Sequence, residues 1–114
     1  PGTLYPGGTT ATTTTTTATS VSAGDEHTCA VLPVNTVKCW GLGTDGRLGN
    51  GSTSSQTTPV SVTGISTATS VSAGNEHTCA VLSDGTVKCW GFGWWGQLGN
   101  GSTDAQTTPV LVIW

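Results

Sequence analysis

The sequence predicts an all-β protein made of two β-propeller-type blades of antiparallel strands, set in tandem and open rather than closed into a ring. Two observations carry this. Residues 18–62 align with 68–112 at a fixed offset of 50 without a gap, and 34 of the 45 aligned pairs are identical. Within each unit, short alternating runs separated by Gly and Asn clusters read as strands and turns, and no stretch shows the period and caps of a helix. Four short strands in a unit of about 50 residues is the content of one propeller blade.

The division of the chain follows. Residues 1–17 form a Thr-rich leader, 18–67 the first unit and 68–114 a second, incomplete one. Thr is a good strand former, so the leader is expected as an edge strand or a linker. Its dense run (Thr12, Thr13, Thr14, Thr15, Thr16 and Thr17) also suits O-glycosylation. Unit 1 is expected to place strands at Ala18–Ser22, Thr28–Leu32, Thr36–Trp40 and Pro59–Val62, with the same pattern repeated in unit 2. The run Val110-Leu111-Val112-Ile113, closed by Trp114, reads as a strand that in a longer array would lead into a further blade.

The four cysteines fall as Cys29/Cys39 and Cys79/Cys89, ten residues apart inside an expected hairpin. A three-residue loop with Gly85 in the left-handed position sets Cys79 opposite Cys89 and Val81 opposite Val87. Asn35 can take the same position in unit 1, which sets Cys29 opposite Cys39. Facing Cβ atoms in a sheet lie about 4.5–5.5 Å apart, so a disulfide asks for slight compression. Zinc usually asks for Cys-x₂₋₄-Cys spacing, which is absent, although His27 and His77 are close in sequence. Disulfides are the preferred reading, with buried free thiols and metal as the alternatives. Disulfides imply an oxidising, extracellular or cell-surface setting, and they help units with few large apolar residues hold together.

The residues at 71–101, Val-Ser-Ala-Gly-x-x-His-Thr-Cys-Ala-Val-Leu-x-Asp-Gly-Thr-Val-Lys-Cys-Trp-Gly-x-Gly-x-x-Gly-Gln-Leu-Gly-Asn-Gly, resemble the RCC1 (regulator of chromosome condensation) repeat. The resemblance covers both units. It implies a propeller, typically of seven blades, each a four-stranded antiparallel sheet. Only two units are present here, so exposed edges are expected, and such edges template further pairing. Taken literally, the family name implies nucleotide exchange on a small GTPase or chromatin docking. The paired cysteines, the acidic balance and the small number of blades count against that, and family membership alone transfers no activity.

Composition excludes other classes. Three basic residues against six acids give a net charge of −3, with 8% charged residues in all. A nucleic-acid surface needs a basic stripe, and Lys38, Arg47 and Lys88 are scattered. No apolar run approaches the roughly 20 residues of a membrane span. The start at Pro1 lacks the basic and apolar regions of a signal peptide, so the chain reads as a processed product or a fragment.

Asp25-Glu26-His27 and Asn75-Glu76-His77 invite an acid–base reading. Recurrence in both units favours structure instead: a turn entering a strand, with each His bonding a backbone group of its own blade. The segments Gly41-Leu42-Gly43 and Gly91-Phe92-Gly93 lack the following helix of a nucleotide loop. No catalytic residue, metal site or cofactor is expected, and the chain is read as no enzyme. Asn50-Gly51-Ser52 and Asn100-Gly101-Ser102 are tight-turn signals that also match the N-glycosylation sequon. The units differ most where Thr44-Asp45 becomes Trp94-Trp95. Trp94, Trp95 and Trp114 are therefore candidates for contact with a protein or sugar, or for packing on the next blade or another chain.

Two functions follow. One is a non-enzymatic extracellular module that binds a protein or carbohydrate or acts as a scaffold. The other is a structural subunit of a fibre or sheath, in which the leader of one chain completes a neighbour's blade by strand addition. The expected partners are thus copies of the chain, further blades or a ligand, without nucleic acid or membrane insertion.

Overall fold

A computed structural model describes residues 17–114. The expectations for the leader, including a strand or glycans at Thr12 to Thr16, lie outside the described residues. Thr17 is exposed and belongs to no strand.

Eight strands follow in order: β1 (Ser20–Ala23), β2 (His27–Val31), β3 (Val37–Gly41), β4 (Gln56–Ser61), β5 (Ala68–Ala73), β6 (His77–Leu82), β7 (Val87–Gly91) and β8 (Gln106–Leu111). They form two four-stranded antiparallel sheets, β1-β2-β3-β4 and β5-β6-β7-β8, with neighbours in the chain as neighbours in the sheet. The all-β, open two-blade architecture is as expected.

The central hairpins have the expected register. Cys29 faces Cys39 and Val31 faces Val37, while Cys79 faces Cys89 and Val81 faces Val87. The turn residues that permit it are Asn35 at φ 67° and Gly85 at φ 87°, since Gly and Asn tolerate the left-handed region that a bulged three-residue loop requires. Both cysteine pairs are joined, with S–S distances of 2.07 and 2.05 Å. Their Cα atoms approach to 4.1 and 4.0 Å, closer than the roughly 4.5 Å of an ordinary facing pair.

Every strand boundary in unit 1 shifts from expectation by one to three residues. β1 begins at Ser20 rather than Ala18. β4 begins at Gln56 rather than Pro59, because Pro59 lies inside an edge strand, where the missing N–H costs no ladder bond. In the run 110–113, β8 extends to Leu111 as the fourth strand of the second sheet, and Ile113 N–H donates to Gly99 O at 2.8 Å, the counterpart of the Thr63 N–H bond to Gly49 O that precedes the second unit. Each four-stranded sheet draws all its strands from its own unit.

The core lies between the sheets. Cys29, Val31, Val37, Cys39, Leu48, Val62 and Ile65 of unit 1 pack with Ala68, Ala80 and Trp90 of unit 2 in one buried cluster. A single sheet has too few large side chains to bury a face by itself, and stacking the second unit on it removes both faces from water.

Candidate functional site

Each unit has a trailing face, which meets the unit after it, and a leading face, which meets the unit before it. The seam between unit 1 and unit 2 shows what both faces are built to do. Across it Ser22 Oγ accepts from Ala73 N–H at 2.9 Å, Asn35 O accepts from Ala68 N–H at 2.9 Å, and Gly51 N–H donates to Thr107 O at 2.9 Å. Asn35 Nδ2 also donates to Ala68 O at 3.0 Å, so one asparagine grips one residue's backbone at both ends.

His27 is central to this seam. Its Nε2 lies 2.8 Å from Thr78 Oγ1, and Thr78 in turn donates to Arg47 O at 3.0 Å. Because the Thr78 proton is committed to Arg47 O, the hydroxyl accepts from Nε2–H, which leaves Nδ1 unprotonated. That Nδ1 is buried without a partner. Burial, then the Arg47 charge, then His77 hold the His27 pKa down to about 4. The expectation of a backbone partner in the same blade is thus corrected: the partner is a side chain of the next blade. Glu26 and Glu76 are exposed, and among the described residues no carboxylate hydrogen-bonds either histidine. His27 is thus a seam residue, while the backbone carbonyls of Glu26 and Glu76 each accept a backbone N–H within their own unit, from Leu42 and Phe92.

Arg47 is 3% exposed. Its Nε donates to Thr44 O at 2.8 Å, NH2 reaches Asp45 Oδ2 at 3.5 Å, and NH1 crosses to Asn75 O at 3.3 Å. A short 3₁₀ turn, Thr44–Gly46, places it. Gly46 (φ 80°) lies so close to Thr107 that an added Cβ would collide with that residue's backbone, and Gly49 leaves room for the fully buried Trp90 indole.

The same trailing face recurs on unit 2, where none of the described residues covers it. Gly74, His77, Gly96, Leu98, Gly99 and Val112 stand where unit 1 has Gly24, His27, Gly46, Leu48, Gly49 and Val62. A Cβ at Gly96 would meet nothing within 4 Å. His77, Val87 and Cys79 are half-buried where His27, Val37 and Cys29 are buried. Two polar grips are missing, because Gly85 replaces Asn35 and Gln97 replaces Arg47; Gln97 Oε1 turns back to accept from Trp95 N–H at 2.9 Å.

Aromatic surface takes their place. Trp94 and Trp95, 68% and 82% exposed, occupy the positions of Thr44 and Asp45, beside the turn that packs on β8 and β7 in the first seam. Phe92 lies 6.0 Å from Trp94, ring centre to ring centre. Trp114 is 91% exposed, with Ile113 and Leu111 also exposed. Of the tryptophans singled out in the sequence, Trp94 and Trp95 therefore flank the trailing face of unit 2. Asn50 and Asn100 sit in tight turns with Gly51 and Gly101 at positive φ, and each Oδ1 accepts the backbone N–H two residues on, from Ser52 and Ser102.

Sequence reasoning missed Asn35 as a grip, Thr78 and Arg47. The repeat contains the signal, since seam partners such as Ser22 and Ala73 or His27 and Thr78 lie one residue more than the repeat offset apart. Among the described residues no group of three or more His, Cys, Asp or Glu side chains is placed to hold a metal.

Family models described as the regulator of chromosome condensation (RCC1) repeat match residues 36–81, 84–114 and 18–47. No curated protein sequence matches the chain. Among solved structures, yeast RCC1 (Prp20) bound to Kap60 superposes with a TM-score of 0.79 at 21% identity, over 90% of this chain and 26% of that one. Prp20p from Saccharomyces cerevisiae, described with its binding to Gsp1p and histones, gives 0.79 at 21% identity over 90% and 27%. Human WBSCR16 gives 0.71 at 21% identity over 85% and 25%. The chain thus spans about a quarter of the length of these structures.

Proposed function

The chain belongs to the RCC1 repeat family, and from that premise we propose that it is a non-catalytic binding and scaffold segment of an extracellular or cell-surface protein. The observation that carries the reading is the exposed pair Trp94 and Trp95, with Phe92 packed beside Trp94. Large rings in an exposed turn supply broad contact area with few rotatable bonds to order. They suit a protein surface or the apolar face of a sugar. The solved relatives named above include proteins recorded with protein partners, which supports binding as the family's mode without assigning those partners here.

The setting is supported by chemistry. Two joined cysteine pairs in so small a segment fit an oxidising compartment. Glycans at Asn50, Asn100 or Thr17 would supply the solubility that 8% charged residues do not.

The test is a binding screen of the intact chain against glycans and secreted proteins, repeated with Trp94→Ser/Trp95→Ser. Loss of the ligands bound by the parent chain is expected. Unchanged binding by the double variant would overturn the site, and four alkylatable thiols in native material kept from reductant would overturn the setting.

A further inference from the structure

We infer that the loop end of unit 2 docks a basic, arginine-bearing segment of a protein partner, with Trp94 as the stacking surface and Glu76 and Asp104 as the countercharges. This rests on the reading of Trp94 and Trp95 as a contact surface and names the class of partner.

The charges are sorted along the strands. Leu42 N–H and Phe92 N–H donate to Glu26 O and Glu76 O, both at 2.9 Å, so in each sheet the turn before the second strand and the loop after the third share one end. Asp25, Glu26, Asp45, Glu76 and Asp104, five of the six acidic residues, belong to that end, and among the described residues Arg47 is its one cation. Arg47 is buried and already committed to Asp45 and to the carbonyls of Thr44 and Asn75. Lys38 and Lys88, the second residues of β3 and β7, lie toward the opposite, hairpin end, where Asp84 stands. One end of the molecule is therefore anionic. Such a field gathers cations there and steers a basic partner to it.

The rings stand within this acidic end. Six positions at which the units differ fall in the loop after the third strand: Phe92 replaces Leu42, Trp94 and Trp95 replace Thr44 and Asp45, Gln97 replaces Arg47, and Asp104-Ala105 replaces Ser54-Ser55. An ion pair and three hydroxyls leave, while three aromatic side chains, a neutral amide and an unpaired carboxylate arrive. Gly93 lies so close to Asp104 that an added Cβ would collide with its carbonyl, which sets the run Phe92-Gly93-Trp94 alongside Asp104. On its other side the run is tied to Glu76 by the Phe92 N–H bond. A cation is held over the face of Trp within about 6 Å of the ring centre. Arginine adds a planar stack on the ring and a fork of N–H groups for a neighbouring carboxylate. A neutral sugar would use the rings but not the charge.

A neighbouring blade leaves this site uncovered. Unit 2 is seated against the trailing face of unit 1, yet Glu26, Thr44 and Ser54, the counterparts of Glu76, Trp94 and Asp104, stay exposed beside it. Unit 1 in turn occupies the leading face of unit 2, and Glu76, Trp94 and Asp104 are exposed all the same. The site belongs to the end of a blade rather than to the faces through which blades stack.

Fluorescence anisotropy of labelled octa-arginine added to the intact, oxidised chain tests the inference, with octa-lysine, octa-glutamate and the neutral sugar cellohexaose as comparators. Micromolar binding is expected for octa-arginine, weaker binding for octa-lysine and none for octa-glutamate, and added salt should weaken the complex. Trp94→Ser should weaken it at least about fivefold. Asp104→Asn should weaken it about threefold, whereas Asp84→Asn, the same change of charge at the hairpin end, should leave it nearly unaltered. All three positions are exposed, and circular dichroism checks that each variant keeps the sheet signal. No binding of octa-arginine by the parent chain would overturn the inference. So would binding that ignores Trp94→Ser, or that falls equally with Asp84→Asn and Asp104→Asn, since attraction to net charge alone does both. A chain that takes cellohexaose in place of octa-arginine through Trp94 and Trp95 would overturn it while leaving the contact-surface reading intact.

Discussion

His27 in β2 and Thr78 in β6 are joined by a 2.8 Å hydrogen bond across the boundary between two repeat units, and both side chains are almost wholly buried. Since Thr78 passes its own proton to Arg47 O, the bond needs the imidazole hydrogen on Nε2, and any second proton must go to the buried, unpartnered Nδ1, where it charges the ring inside the seam and near Arg47.

Acid should therefore open the seam. In the unfolded chain His27 titrates near its ordinary 6.5, whereas in the fold it is held down to about 4. A depressed pKa means that the unfolded chain binds the proton first, so stability is complete above about pH 6.5 and declines as pH falls toward 4. Burial pulls His77 in the same direction. Thermal melts between pH 7.5 and 4 should show a falling Tm, with a flatter profile for His27→Gln; identical slopes for parent and variant would remove His27 from the account.

Arg47→Gln installs the residue that unit 2 carries at the equivalent position. It removes the bond to Asn75 O and the pairing with Asp45, and should cost about 2 kcal/mol, as expected for buried hydrogen bonds made by a charged group. Urea unfolding measures this. The reverse change, Gln97→Arg, should leave the isolated chain's stability nearly unaltered because no seam lies on that side.

Gly46→Ala and Gly96→Ala separate backbone strain from packing. The two glycines have nearly the same conformation, φ 80° and 76°, but only Gly46 faces a neighbouring unit. Gly96→Ala should cost about 1 kcal/mol for the left-handed conformation. Gly46→Ala should cost about 3 kcal/mol, because the collision with Thr107 adds an overpacking penalty. Equal losses would mean that the seam is looser than its geometry indicates.

The two disulfides should differ in resistance to reductant. Cys29 and Cys39 are fully buried beneath unit 2, while Cys79 is half-buried at the trailing face of unit 2. Under native conditions a water-soluble phosphine followed by alkylation should label Cys79 and Cys89 first, as peptide mapping would show. Replacing Cys29 and Cys39 by Ser should cost about 3 kcal/mol for a loop of this length.

Much of this was legible from the chain. The facing of Cys29 with Cys39 and the left-handed turn at Asn35 follow from loop length and local conformational preference, which act over a few residues. The start of β4 was not legible, because Pro59 resembles a boundary in sequence and is tolerated only by its place at a sheet edge. The partners of His27 and Arg47 were hidden for another reason. They are fixed by how one unit stacks on the next, and nothing local to either residue points to Thr78 or Asn75. The doubled Trp was visible as a difference between units, but whether it stood in a loop or against a face required the sheet arrangement.

Placing the core between units makes stability a property of junctions. No unit owns the cluster of Leu48, Val62, Ile65 and Trp90, so an array of such units has one core fewer than it has members. A lone unit would be all surface, and each unit added to a row completes the one before it. Removing residues 68–114 should then abolish cooperative unfolding outright rather than halve its free energy, the behaviour of a one-dimensional stack whose couplings outweigh its elements.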